Sequence, residues 1–309
     1  MSPPVVLLGP QRLRPTLVEA VEELGIAGGI AAITAGWEER EDEIDELRAH
    51  LGRRVVNLQL HRRTEQIFVR DREFFVAYRE RRVRLRELQD VYRRRLASTL
   101  DAAIDVLRRE GDPEVLDPER EDALEAVRRL DARHLVRTAE IAAEFEAEWR
   151  PGEREEIARH RAEVRALVAD CEALAIAGGN VAVLVNRLRL HGIDALVRTT
   201  PVLAWSAGAM AMTATIVTYH DNPPQGPGYP EVFGAGLARV AGVLALPHAH
   251  RRLRLEDRFR VSLFARRFAP LDPLAFDDGA HLHCTGPRCS RVEAVRRLTP
   301  EGDVLEEAA

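Results

Sequence analysis

The chain has 309 residues, 46% of them hydrophobic, and a formal net charge of −5; it can build a sizeable core, and the charge argues against a general nucleic-acid role. All 45 basic residues are arginine, with no lysine, a bias of composition rather than a functional patch. Neither the first residues nor the most apolar later stretch, 202–217, offers a leader or the ~20 apolar residues of a membrane helix, so a cytoplasmic protein is expected.

The opening third alternates short apolar runs with helical patterns: strands at 4–8, 29–34 and 54–59, helices at about 15–24 and 38–50. That rhythm predicts a parallel α/β core. From about 62 to 170 nothing resembles a strand. Leu85, Leu88, Tyr92, Leu96, Leu100, Ile104 and Leu107 recur at steps of three and four, an apolar stripe on a helix of about 62–110 that ends at Gly111-Asp112-Pro113. Asp117-Pro118 opens a second helix carrying Leu124, Val127, Leu130, Ile141, Phe145 and Trp149, Pro151-Gly152 breaks it, and a third runs to about 170. The chain thus divides into a first part of the core (1–61), a helical insertion (62–169) and a second part of the core (170–309). The length of the stripe predicts a homodimer that pairs the long helix with its copy; a lid and a self-contained hairpin are the alternatives.

The chemistry-bearing segments follow. Ala173–Ala177 reads as a buried strand that ends in Gly178-Gly179-Asn180, where glycines let a backbone approach a ligand and leave amides free to donate; Asn180 would cap the next helix. Pro201–Ala204 is a second strand, and Trp205-Ser206-Ala207-Gly208-Ala209 places a serine on a strand-to-helix turn, with Ala204 where the G-x-S-x-G elbow has its first glycine. Tyr219–Pro230 is a proline and glycine loop bordering the site. His220 and Asp221 rank low as catalytic partners, being placed beyond the helix that starts at the elbow. A third strand, Val240–Leu246, ends in Pro247-His248-Ala249-His250, which makes His248 the candidate base and His250 the reserve. An acidic turn with Asp272, Asp277 and Asp278 then offers an acid to orient the histidine.

Cysteine usage is sparse. Cys171, Cys284 and Cys289 are too few and too odd in number for a disulfide framework. His281, His283, Cys284 and Cys289 could ligate zinc, but their spacing fits no common zinc motif and they read as exposed tail residues.

The order Gly178-Gly179-Asn180, Ala204-Trp205-Ser206-Ala207-Gly208-Ala209, Pro247-His248 and Asp277-Asp278-Gly279 resembles the serine peptidases of the dipeptidase E and cyanophycinase type. The resemblance implies the class I glutamine amidotransferase-like fold: a three-layer, flavodoxin-like α/β sandwich on a mostly parallel sheet, here with a large all-helical insertion. It implies Ser206 as nucleophile, His248 as base, Asp278 as its acid in place of the family's glutamate, and the amides of Gly179 and Ala207 as oxyanion hole. Asn180, Arg251 and Arg252 become weaker candidates for binding a small peptide or isopeptide. No cofactor, metal, nucleic acid or membrane enters this reading. The competing reading is a catalytically silent binding or assembly protein that keeps the fold.

Overall fold

The computed structural model describes residues 2–221, 228–286 and 288–307; residues 222–227 of the proline and glycine loop lie outside them. In chain order the first elements are β1 (Val5–Leu8), α1 (Leu17–Glu23), β2 (Ile30–Ile33), a 3-10 segment (Ala35–Arg40), α2 (Asp45–Leu51) and β3 (Val55–Asn57). Helices α3 (Leu60–Arg70), α4 (Arg72–Arg108), α5 (Pro113–Trp149) and α6 (Glu155–Ala169) follow. The chain then returns to the core with β4 (Ala173–Ile176), α7 (Val181–Leu190), α8 (Ile193–Leu196), β5 (Val202–Trp205), α9 (Ala207–Met212), β6 (Thr215–Thr218) and β7 (Glu231–Ala235). It closes with β8 (Val243–Pro247), α10 (Ala249–Arg252), α11 (Arg258–Phe268), β9 (Asp272–Thr285), β10 (Arg288–Leu298) and β11 (Val304–Glu306).

Among the described residues the main sheet runs β11-β10-β9-β1-β5-β4-β2-β3, with β8 also paired to β9. β1, β5, β4, β2 and β3 are mutually parallel, whereas β9, β10 and β11 add an antiparallel flank. β1, β2, β4 and β5 are buried at every residue, which is why they read as continuous apolar runs rather than alternating ones. Alternate residues still face opposite layers. Val6, Leu8, Ala173 and Ala175 pack with Leu17, Val21 and Leu47 of α1 and α2; Val5, Leu7, Leu174 and Ile176 pack with Leu184 and Leu188 of α7 and with the insertion's Leu96 and Val127. The result is a three-layer α/β sandwich with a large helical insertion, as the sequence predicts.

The far side of the sheet departs from the expected pattern. The segment read as an acidic turn is part of one long strand, β9, whose residues 272–276 run parallel to β8 and whose residues 281–284 run antiparallel to β1. β1 and β8 therefore point toward each other and converge on 277–280. The convergence is tight. A Cβ on Gly9 would stand 1.9 Å from the Asp277 carbonyl oxygen, and the Gly9 amide donates to Ala280 O at 2.9 Å.

Two boundaries in the insertion shift for local reasons. The expected single helix breaks at Asp71, whose side chain caps α4 by accepting from the Phe74 amide. α5 begins at Pro113 rather than near 117, because Asp112 caps it and Pro113 occupies the first helical position; Pro118 lies inside, early enough for the helix to continue. Tyr92, Leu96 and Leu100 are 1–3% exposed and join the main core beside Val127 and Leu130 of α5. The middle of the stripe that suggested a homodimer is thus covered within the chain, while Leu85, Leu88, Ile104 and Leu107 on either side of it are half-buried. A buried network closes the contact: Tyr92 Oη donates to Asp131 Oδ1 (2.7 Å) and accepts from the Val232 amide (3.1 Å), while Arg267 Nε of α11 donates to Asp131 Oδ2 (2.7 Å). Among the described residues, no helix is long and apolar enough to cross a membrane.

Candidate active site

β5 delivers Ser206 with φ 52° and ψ −120°, backbone that a non-glycine residue adopts at a cost of about 1–3 kcal/mol and keeps only where its surroundings enforce it. The enforcement is visible. The Ser206 amide donates to Leu8 O (3.3 Å), and its carbonyl accepts from Met210 (3.2 Å). A Cβ on Gly208 would lie 2.2 Å from Ile176 O, so helix α9 packs this closely on β4 because that residue is glycine. Ala204 stands where the elbow pattern has glycine, and its methyl is wholly buried in the core.

The Gly178-Gly179-Asn180 turn follows β4 and leans on the loop after β2. The Asn180 amide donates to Gly36 O at 2.7 Å, and Gly179 has φ 103°, where a Cβ would collide with that same carbonyl oxygen at 2.2 Å. Gly178 faces the elbow: a Cβ there would sit 2.7 Å from Ser206 Cβ, 3.4 Å from the Ala207 nitrogen and 3.5 Å from Ser206 Oγ. With no side chain, Gly178 packs directly against the serine Cβ at the start of α9. Among the described residues, neither the Gly179 nor the Ala207 amide donates to a protein acceptor. The Asn180 side chain accepts from Ala182 N (3.1 Å) and Val183 N (3.2 Å) and donates to Glu38 Oε1 (3.0 Å). It caps α7 and tethers a neighbouring loop, which among the described residues leaves one Nδ2–H uncommitted.

His248 closes β8 in the left-handed region, φ 59°. Its Nε2 lies 3.5 Å from Ser206 Oγ, at the loose end of hydrogen-bond reach, as is common outside a Michaelis complex. Its amide donates to Phe276 O (3.1 Å), and the preceding Pro247 carbonyl accepts from the buried Tyr219 hydroxyl (2.6 Å). Burial pushes the imidazole below its ordinary pKa, the charges of Arg252 and Arg251 push the same way, and Asp278 and Asp277 oppose them. His248 is therefore neutral near pH 7, the form a base requires.

The neighbouring histidine is committed elsewhere. His250 Nδ1 donates to Asp277 Oδ1 at 2.6 Å, its amide donates to the same oxygen at 3.1 Å, and Arg296 Nη2 donates to Oδ2 at 2.5 Å. Burial would raise the Asp277 carboxyl, but these donors hold it below the usual carboxylate range. Arg251 Nε in turn donates to His250 Nε2 at 3.2 Å. Asp278 is near enough for its charge to act on His248, although among the described residues no hydrogen bond joins them. Asp272 pairs with Val243 at the opposite end of β8, about 13 Å along the strand from Pro247, so it is out of reach as the orienting acid.

Two expectations are corrected. α9 is only six residues long and is followed by β6, so His220 and Asp221 do not lie beyond a long helix; Asp221 is unavailable because it is buried and paired with Arg260 Nη2 at 2.5 Å. Nor is the zinc candidate an exposed tail. Cys284 and Cys289 are cross-strand neighbours joined as a disulfide, and His281 is wholly buried with Nε2 3.0 Å from Glu23 of α1, whose other oxygen lies 3.2 Å from His283. With the thiols tied to each other, those four side chains do not form a ligand set. The sequence reading missed Gly36, Glu38 and the specific part played by Gly178.

A search of curated proteins returned no match. Among solved structures, a peptidase from an acI-B1 Actinobacterium aligns over 97% of this chain and 92% of its own at 12% identity and a TM-score of 0.46. A putative peptidase E protein from Listeria monocytogenes EGD-e aligns over 97% and 100% at 10% identity and a TM-score of 0.45. The profile of peptidase family S51 matches residues 129–292, more than half of the chain and the part that carries the glycine turn, the elbow, both histidines and the acidic segment. The chain belongs to peptidase family S51.

Proposed function

We propose that the chain is a serine hydrolase that cleaves an amide bond in a small peptide or isopeptide through an acyl-enzyme on Ser206. The carrying observation is the 3.5 Å approach of His248 Nε2 to Ser206 Oγ, made by residues that both hold unusual positive φ angles. In this reading His248, neutral at pH 7, takes the serine proton as Oγ attacks the carbonyl carbon. The oxyanion accepts hydrogen bonds from the Gly179 and Ala207 amides. His248 then gives the proton to the leaving amine, and a water molecule activated by the same imidazole releases the acyl group.

Asp278 acts by its charge, holding the imidazole's basicity up against burial and two arginines. Arg251 and Arg252 put positive charge beside that imidazole. Treatment with a fluorophosphonate reagent tests the assignment: stoichiometric labelling of Ser206 that disappears in Ser206→Ala and drops sharply in His248→Ala is expected. A folded protein left unlabelled rejects it.

A further inference from the structure

We propose that Glu38 is a specificity-determining residue that binds a primary ammonium group on the acyl part of the substrate; this rests on the reading of Ser206 as nucleophile. Glu38 lies in the loop at the carboxyl end of β2, the strand adjacent to β4. Its backbone, φ 58° and ψ −122°, falls in the same rare region as that of Ser206 at φ 52° and ψ −120°, where glycine would be comfortable and a charged side chain is costly. The loop is built into the glycine turn. Gly36 approaches so closely that a Cβ on it would stand 2.4 Å from Gly178 O, and Gly36 O accepts from the Asn180 amide.

The carboxylate is half engaged. Oε1 accepts from Asn180 Nδ2 at 3.0 Å, and among the described residues Oε2 has no hydrogen-bond or ion-pair partner although the side chain is partly buried. A tethered carboxylate with one oxygen free is preorganised for a cation. The substrate's polarity fixes which part that cation belongs to. His248 must reach the leaving amine, so the leaving group lies toward β8 and α10, where Arg251 and Arg252 make the surroundings positive. The acyl group then extends the other way, over Gly178 and Asn180 toward Glu38. An ammonium there comes either from a free α-amine or from a basic side chain.

Equilibrium binding to the Ser206→Ala protein separates these sources without needing turnover. Short peptides are compared in three forms: free α-amine, N-acetylated, and N-acetylated with a lysine at the acyl residue. We expect Glu38→Gln to weaken binding of the ammonium-bearing form by about 10- to 100-fold and to leave the acetylated, lysine-free form unchanged. Loss with the α-amine identifies one source and loss with the lysine the other. Equal weakening of all forms means that Glu38 merely positions Asn180, and overturns the proposal. If Glu38→Gln does not fold, the Ser206→Ala protein alone decides: equal affinity for charged and acetylated forms, or no measurable binding of any charged form, overturns it. Fluorophosphonate labelling of the unmodified chain reports on Ser206 separately, so failure of the nucleophile and failure of the ammonium site give different results.

Discussion

Asp277 binds His250 and not His248, with its Oδ1 held at 2.6 Å by His250 Nδ1 and its Oδ2 held by Arg296. The histidine nearer the serine is thus separated in role from the one that holds Asp277, and of the two carboxylates whose charges raise the His248 pKa, Asp278 has the larger effect. Asp278→Asn removes a group that raises the His248 pKa, so the acid limb of kcat/KM, expected below the ordinary histidine value because His248 is buried, should move further down. A weaker base should also lower kcat by about tenfold. Asp277→Asn should instead free His250 and Arg296, lowering the melting temperature more than it moves the limb. An unmoved limb in Asp278→Asn would show that its charge does not reach the base.

Gly178 and Gly208 are both closely packed, but substitution should fail differently at each. A methyl on Gly178 would meet Ser206 Cβ at 2.7 Å and crowd the Ala207 nitrogen and Ser206 Oγ at 3.4 and 3.5 Å, so Gly178→Ala should displace the serine and cut kcat/KM by about 10² to 10³, the scale of losing one oxyanion donor. A methyl on Gly208 meets the Ile176 carbonyl at 2.2 Å, and neither backbone can retreat without separating α9 from β4. Gly208→Ala should therefore reduce stability first, by more than about 1 kcal/mol. Thermal melts alongside fluorophosphonate labelling separate the two outcomes.

Much of this arrangement is legible in the sequence because its signals are local. A serine between Trp205 and Ala207 after an apolar run, glycines at 178 and 179, and a histidine after β8 each state a backbone geometry within a few residues. Glu38 carries no such signal: its place follows from the pairing of β2 with β4, a contact between segments more than 130 residues apart. The acidic stretch misleads for a related reason. Asp277-Asp278-Gly279 has the composition of a turn, and Gly279 does take φ 86° opposite a register shift in β10, yet the segment is carried inside β9 because β8 pairs with the residues before it and β1 with those after it. Helix boundaries failed where a stronger cap, Asp112 with Pro113, preceded the one expected.

His191 should govern acid stability. Burial depresses its pKa to about 3; the imidazole lies 3.1 Å from Leu60 O and 3.0 Å from Thr64 Oγ1 at the joint between α3 and α7. Since the unfolded value is near 6.5, the unfolded chain binds more protons between the two, and the stability held by neutral His191 is complete above about pH 6.5 and declines as pH falls toward 3. The slope from this one group approaches about 1.4 kcal/mol per pH unit. His191→Gln should lower stability at pH 7 yet flatten its decline between pH 6 and 4 in urea titrations. An unchanged slope would place the acid sensitivity on His160 and His134, which burial also depresses.

The long helix supplies the last test. Leu96 is 1% exposed and Tyr92 3% exposed, each burial being worth roughly 1.5–3 kcal/mol, and the Tyr92 hydroxyl is locked to Asp131, Arg267 and Val232. These contacts are internal, so glutamates at 88, 92 and 96 would force charges against Val127 and Leu130 and leave Asp131 and Arg267 with a broken network. Removing one partner of a buried pair alone costs about 3–5 kcal/mol. The triple variant should therefore lose helical signal and cooperative melting, and Asp131→Ala should do so in part. Had the stripe been an interface between two copies, the same variant would keep its fold and halve its mass in light scattering. Loss of mass with retained helicity would support the dimer; unfolding of a variant whose parent is monomeric in light scattering assigns the stripe to the core of a single chain.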